Sequence, residues 1–263
     1  MSGRLHGKVA VVTGAASSAP GVGIGAAISI LLAREGARVI VVNRSLAHAA
    51  SLAEEITGEG GHCSAVAADV TTSEGAAAAI DAAGSRYGAL HVLVNNVGSG
   101  GPGTVVDATE QLWEQTMATN LRSVFLCCKH AVPHMIEAGG GSIVNVSSVA
   151  ALQGFRRGGS GFAPYSAAKA GVIGLTRAVA ADHARENVRS NCLIVGMAHT
   201  PRMEKFGQEH RRTRTMAVPL QREGTAWDAA WAAVFLASEE SRWITGACLP
   251  VDGGQLSLRE WPE

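Results

Sequence analysis

Residues 8–36 read KVAVVTGAASSAPGVGIGAAISILLAREG. A short β-branched run, Val9–Thr13, comes first. A glycine-rich stretch through Gly14, Gly21, Gly23 and Gly25 follows, and an apolar helical pattern over residues 25–34 stops at Gly36. An apolar run bounded by turn formers and followed at once by a helix reads as a strand covered on both faces. Strand, glycine turn and helix together form the first half of a βαβ unit, so this stretch alone points to a parallel sheet.

The same beat repeats along the chain. Further strands are expected at residues 38–43, 63–67, 92–95, 142–146, 188–194 and 248–251. Helices are expected at 46–56, 73–87, 163–185 and 225–237, with one long helix or two over 111–138 and Pro133 late in it. The fold class is α/β: a single-domain, Rossmann-like, doubly wound parallel sheet with helices on both faces. No linker, repeat or low-complexity segment divides the 263 residues, so residues 1–263 are read as one domain.

Composition narrows the function classes. The formal net charge is +0, which argues against nucleic acid or an acidic membrane surface as the main partner. No apolar stretch is long enough to span a bilayer, and residues 1–8 lack a signal peptide's apolar run. Five cysteines (Cys63, Cys127, Cys128, Cys192 and Cys248) are an odd number with no CxxC pair. They are read as reduced thiols in a cytoplasmic protein, and no metal site is expected.

Two features carry chemistry. Glycines after the first strand let the backbone approach a pyrophosphate, and the helix N-terminus attracts its charge. A glycine turn alone is a common feature; its place in a βαβ unit gives it weight. Second, Tyr165 and Lys169 stand four apart in a helical stretch and share a face. A phenol with its usual pKa of about 10 is a poor base near neutrality, and a neighbouring ammonium lowers that value.

The motifs together resemble the short-chain dehydrogenase/reductase family. Thr13-Gly14 with Gly23-Ile24-Gly25 looks like its TGxxxGxG motif, although eight residues separate Gly14 from Gly23, more than is usual. Residues 17–21, Ser17 among them, read as an insertion over the pyrophosphate. Asp69-Val70 matches the pair that contacts adenine. Asn95-Asn96-Val97-Gly98 resembles the NNAG motif, which places Asn96 at the strand end and the cofactor ribose, with Gly98 beside it.

The resemblance also implies a catalytic set of Asn120, Ser148, Tyr165 and Lys169, in family order. Asn120 would hold a proton-relay water, Ser148 would bond the substrate oxygen, and Tyr165 would be the acid/base. Sixteen residues separate Ser148 from Tyr165, again more than usual. The extra ones are assigned to 154–161, with Arg156 and Arg157 at the active-site mouth. Val195-Gly196 stands where relatives have Pro-Gly, and Thr200 matches the residue that bonds the nicotinamide carboxamide. His199 is read as a pocket or surface residue. Residues 201–223, polar and basic, correspond to the family's substrate lid; they suit an acidic substrate group or simply a solvated helix.

Cofactor choice rests on the end of the second strand. An acidic residue there would favour NAD; Asn43 and Arg44 instead suit a 2′-phosphate. NADP is therefore the expected cofactor, with NAD as the alternative. The expected activity is hydride transfer between NADP(H) and a small carbonyl or secondary alcohol, in a homotetramer or homodimer. Two rival readings are a lyase or isomerase on the same scaffold, and a non-catalytic nucleotide-binding protein. Neither explains the retention of both Tyr165 and Lys169 as well.

Overall fold

The computed structural model describes residues 3–16, 21–154, 156–157 and 160–257. The strands in chain order are β1 Val9–Thr13, β2 Arg38–Asn43, β3 His62–Ala67, β4 Val92–Asn95, β5 Gly141–Ser148, β6 Arg156–Arg157, β7 Ser160–Gly161, β8 Val188–Val195, β9 Ala198–His199, β10 Gly224–Thr225 and β11 Cys248–Val251. The α-helices are α1 Ile24–Arg34, α2 Leu46–Gly58, α3 Ser73–Tyr87, α4 Glu110–Met117, α5 Ser123–Glu137, α6 Ala163–His183, α7 Gly207–Met216 and α8 Ala226–Ala237.

Seven strands form one sheet in the order β11-β8-β5-β4-β1-β2-β3, every neighbouring pair parallel. Alternation along β1 explains the two layers. Ala10 and Val12 face a core shared with α1, α2 and α8, whereas Val9 and Val11 face α3, α5 and α6. A strand buried on both sides must be apolar at every position, which is why the sequence showed runs rather than alternation. The strand order reverses between β1 and β4, and a ligand crevice opens beyond the carboxyl ends at such a point.

Where the expected elements differ, the causes are local. The long helix is two, α4 and α5, joined by a π-helical turn at Ala118–Arg122. Pro133 lies inside α5 without ending it. Strand β5 runs on to Ser148, beyond the expected end at residue 146. Two short pairs were not expected: β9–β10 joins residues far apart in sequence, and β6–β7 is a local antiparallel pair in a segment of arginine and glycine with no apolar alternation to mark it. No helix among the described residues is long and apolar enough to cross a membrane.

Candidate active site

The floor of the crevice is a close-packed junction of three segments. Gly14 has φ +62, a conformation that favours glycine. Its carbonyl accepts a hydrogen bond from Asn96 Nδ2 at 2.8 Å. Helix α1 arrives at the same point. A Cβ on Gly25 would stand 2.4 Å from the Gly14 oxygen and 2.5 Å from Asn96 Nδ2, so only glycine fits. Gly23 caps α1 without a side-chain hydrogen bond, and the first turn holds no acidic residue. Among the described residues no side chain caps the opening amides of α1, which suits them to an anion from outside. A nicotinamide dinucleotide fits this cradle. Ser17, expected among the cofactor contacts, lies outside the described residues.

Around the junction, the structure locates the other expected cofactor residues at the carboxyl ends of the strands. Asn43 at the end of β2 is already engaged: its amide donates to the Ala16 carbonyl at 2.6 Å and accepts from the Ser45 amide at 3.0 Å. It braces the glycine turn, and the neighbouring Arg44 is exposed. Asp69 accepts from both the Thr71 hydroxyl and the Thr71 amide, which holds its carboxyl below the usual range, with help from the Arg44 charge. Val70 is buried. On the other side, a Cβ on Gly196 would stand 2.6 Å from the Asp252 Cα, so the chain after β8 is pressed against the C-terminal segment. Thr200 lies half-buried at the head of the 3-10 turn Pro201–Phe206. Gly21, at the end of the sequence insertion, approaches Pro201: a Cβ there would be 3.1 Å from its ring. Gly21 therefore meets the start of the lid.

The four expected catalytic residues come from three elements. Lys169, in α6, is buried, and its Nζ donates to the Val146 carbonyl at 2.9 Å. Burial pulls its pKa down to about 8, offset in part by the nearby Cys192. The Nζ stands 5.9 Å from the centroid of the Tyr165 ring, one turn earlier on the same helix. Asn120 lies in the π-helical turn, fully buried, its amide donating to the Ser99 and Thr116 carbonyls. Its Oδ1 has no partner among the described residues. A Cβ on Gly98 would be 3.1 Å from both that Oδ1 and Lys169 Nζ, so the two groups converge on one glycine. Ser148 closes β5, half-buried, with its Oγ accepting from the Ala150 amide at 3.2 Å.

Several residues that matter here were not singled out from sequence. Gly100 lies against the Tyr165 ring; a Cβ would come within 2.7 Å of it. This loop is laced to the start of α6, where Gly103 donates to Gly161 and accepts from Ala163. Ser147 Oγ donates to the Lys169 carbonyl at 2.9 Å. Beneath them runs a buried amide chain. Asn95 donates to Asn145, which donates to Thr176 of α6. The signal was present, since Asn95 and Asn145 interrupt apolar runs, and buried polar groups must be paired.

The lid differs from a simple solvated helix. The Glu223 side chain is only 5% exposed, and it gathers Arg211 at 2.6 Å, Arg214 at 3.2 Å and His199 at 3.5 Å. His199 also meets Glu204 at 2.6 Å. Two basic residues of the segment read as suiting an acidic substrate group or a solvated helix are thus turned toward an internal carboxylate.

A glycine cradle at the switch point, beside a paired Tyr and Lys, defines a nucleotide-dependent oxidoreductase site. The comparisons agree. Residues 14–255 match the family model described as enoyl-(acyl carrier protein) reductase. The chain is 38% identical to a 3-oxoacyl-(acyl-carrier-protein) reductase from Thermotoga maritima, over 95% of this chain and 98% of the relative. It is 35% identical to a cyclohexanol dehydrogenase from Acinetobacter sp., over 98% of each. A solved short-chain dehydrogenase/reductase structure from Burkholderia xenovorans superposes with a TM-score of 0.91 at 40% identity, covering 98% of this chain and all of that one. The chain belongs to the short-chain dehydrogenase/reductase family and is an NAD(P)-dependent oxidoreductase acting on CH–OH and C=O groups.

Proposed function

We propose that the protein moves hydride between NADP(H) and a small ketone or secondary alcohol, with Asn120, Ser148, Tyr165 and Lys169 as the catalytic group. The observation that carries this reading is the convergence of Asn120 Oδ1 and Lys169 Nζ on Gly98, beside a Tyr165 ring seated on Gly100. The nicotinamide, when bound, supplies or accepts the hydride. In reduction, Tyr165 donates a proton to the carbonyl oxygen; in oxidation it takes one from the alcohol. Ser148 donates a hydrogen bond to the same oxygen, polarising it. The Lys169 ammonium, tethered to Val146, favours the phenolate electrostatically. Asn120 Oδ1 accepts from a water on the proton's route behind Lys169.

Gly14, Gly23, Ile24 and Gly25 hold the pyrophosphate, joined by Ser17 on the sequence pattern. Asp69 and Val70 border the adenine. Asn96 and Gly98, with Tyr165 and Lys169, serve the nicotinamide ribose, and Gly196 and Thr200 serve the carboxamide. With Asn43 committed to Ala16, discrimination at the adenosine ribose falls to Arg44, whose guanidinium suits a 2′-phosphate. The names of the two relatives support a ketone or secondary alcohol as substrate. Five free thiols accord with a cytoplasmic protein, and exposed aromatic residues with a homotetramer or homodimer.

The test is a panel of ketones and secondary alcohols with NADPH and NADH, read at the absorbance band of the reduced nicotinamide. Turnover with NADPH is expected to exceed that with NADH. Tyr165→Phe should lower kcat by about 10²–10⁴-fold while nucleotide binding persists. Near-normal turnover in that variant would remove Tyr165 from the mechanism.

A further inference from the structure

Two thiols stand side by side at the edge of the sheet. In the register of β11 against β8, Cys248 pairs with Cys192. Side chains of paired residues leave a sheet on the same face. Here that is the face covered by α6, where Cys192 is fully buried and Cys248 lies half-buried at the margin. Helix α6 lies beside both: Thr176 neighbours Cys192, and the guanidinium of the next residue, Arg177, stands within electrostatic range of Cys248. Neighbouring strands run about 4.8 Å apart, within the Cα separation that a disulfide spans.

The pair differs from the other cysteines. Burial pushes Cys63 and Cys128 up to about 12, and raises Cys127 as well. Cys248 goes the other way. The neighbouring Cys192 thiol and the Arg177 guanidinium bring it down to about 6, against the opposing effect of burial. Cys192 is pushed up by its neighbour Cys248 and by burial. One thiol is thus set up as a nucleophile with a neutral partner in reach, an arrangement suited to stepwise oxidation.

We propose that Cys248 and Cys192 form a hydroperoxide-reactive site that closes a disulfide between β11 and β8. The Cys248 thiolate attacks the peroxide O–O bond and takes one oxygen as a sulfenic acid; the other oxygen leaves and is protonated. The Cys192 thiol then attacks the Cys248 sulfur, the S–S bond forms, and the sulfenic oxygen departs as water. With hydrogen peroxide, two thiols supply two electrons and one peroxide becomes two waters. Cys192 also lies within the electrostatic range of Lys169, so the bridge forms beneath the site described above.

The test treats the native assembly with hydrogen peroxide, alkylates the remaining thiols and maps the peptides by mass spectrometry. The expected result is a cross-linked pair of peptides carrying Cys192 and Cys248, lighter by about 2 Da for two lost hydrogens and restored by dithiothreitol. Cys248→Ser should abolish the cross-link, leave basal turnover unchanged and keep Cys192 alkylatable. In Cys192→Ser, Cys248 should be trapped by dimedone as the sulfenic acid. If Cys192→Ser does not fold, the first two measurements still decide. The proposal is overturned if all five thiols remain alkylatable, or if Cys248 oxidises beyond the sulfenic stage while Cys192 stays free. The readout is a mass, so it stands apart from the proposed turnover.

Discussion

Lys169 shows how a single residue can oppose stability and serve chemistry. Its ammonium is buried, with a backbone carbonyl as its hydrogen-bond acceptor, and burial lowers its pKa from 10.5 to about 8. Below about pH 8 the folded and unfolded chains both carry the proton, and the full cost of burying the charge falls on the folded state. Between about 8 and 10.5 the unfolded chain holds more protons, so folding grows more favourable as pH rises through that window. Lys169→Met should therefore abolish turnover and yet stabilise the nucleotide-free protein at pH 7. The gain should be on the order of 1–3 kcal/mol, after the lost hydrogen bond is set against the removed charge. Denaturant unfolding of both proteins from pH 7 to 10.5 checks this: the difference should shrink as pH rises, and a destabilised variant at pH 7 would contradict it. Arg44 offers a second test at this scale. Arg44→Asp should turn preference toward NADH by about tenfold or more, measured as the ratio of kcat/KM with each cofactor. The amide of Asn43, read from sequence as part of the phosphate site, braces Ala16 instead. No local pattern reveals which of two neighbouring polar residues is already engaged.

At the scale of elements, the strands were legible because burial on both faces leaves uninterrupted apolar runs. The glycine turn was legible because Thr13-Gly14 and Gly23-Ile24-Gly25 remain recognisable on either side of an insertion. The π-helical turn at Ala118–Arg122 was not, since its sequence is ordinary helix-forming material. Nor was the contact of Gly100 with Tyr165, which joins a loop to a helix sixty-five positions later in the sequence. The close approaches at Gly25 and Gly100 offer separate tests of binding and of catalysis. Gly25→Ala forces a Cβ into the Gly14 carbonyl and Asn96, and should weaken nucleotide binding about tenfold or more in isothermal titration. Gly100→Ala presses instead on the Tyr165 ring and should lower kcat with little change in nucleotide Kd. Equal effects of the two substitutions on Kd would deny that division. The lid adds a third element-scale feature. Glu223 ties Arg211 and Arg214 of α7 to His199 of β9, so helix and strand are held by one buried carboxylate. Sequence showed only a basic stretch, because the single acid that organises it stands at its far end.

The whole molecule carries apolar side chains that stand exposed among the described residues. Phe125 and Ile136 stand eleven residues apart on α5, three helical turns, and so share a face; they are 49% and 40% exposed. Trp113 on α4 is 41% exposed. A second group lies toward the other end of the chain, with Trp231 of α8 at 50% and Trp243 at 97%. Large exposed apolar side chains are candidates for interaction surfaces where they adjoin one another. Two separate self-complementary patches on one chain close into a tetramer of dihedral symmetry, whereas one patch alone would close a dimer. Light scattering should therefore give a particle of about four times the 27.0 kDa chain mass. In such an assembly, Phe125→Lys should disrupt one interface and yield a dimer that keeps its fold and its second interface. Trp243→Lys should do the same at the other, and the double variant should be monomeric. A wild-type monomer at micromolar concentration would sink this reading. A tetramer indifferent to both substitutions would show that other residues carry the contacts.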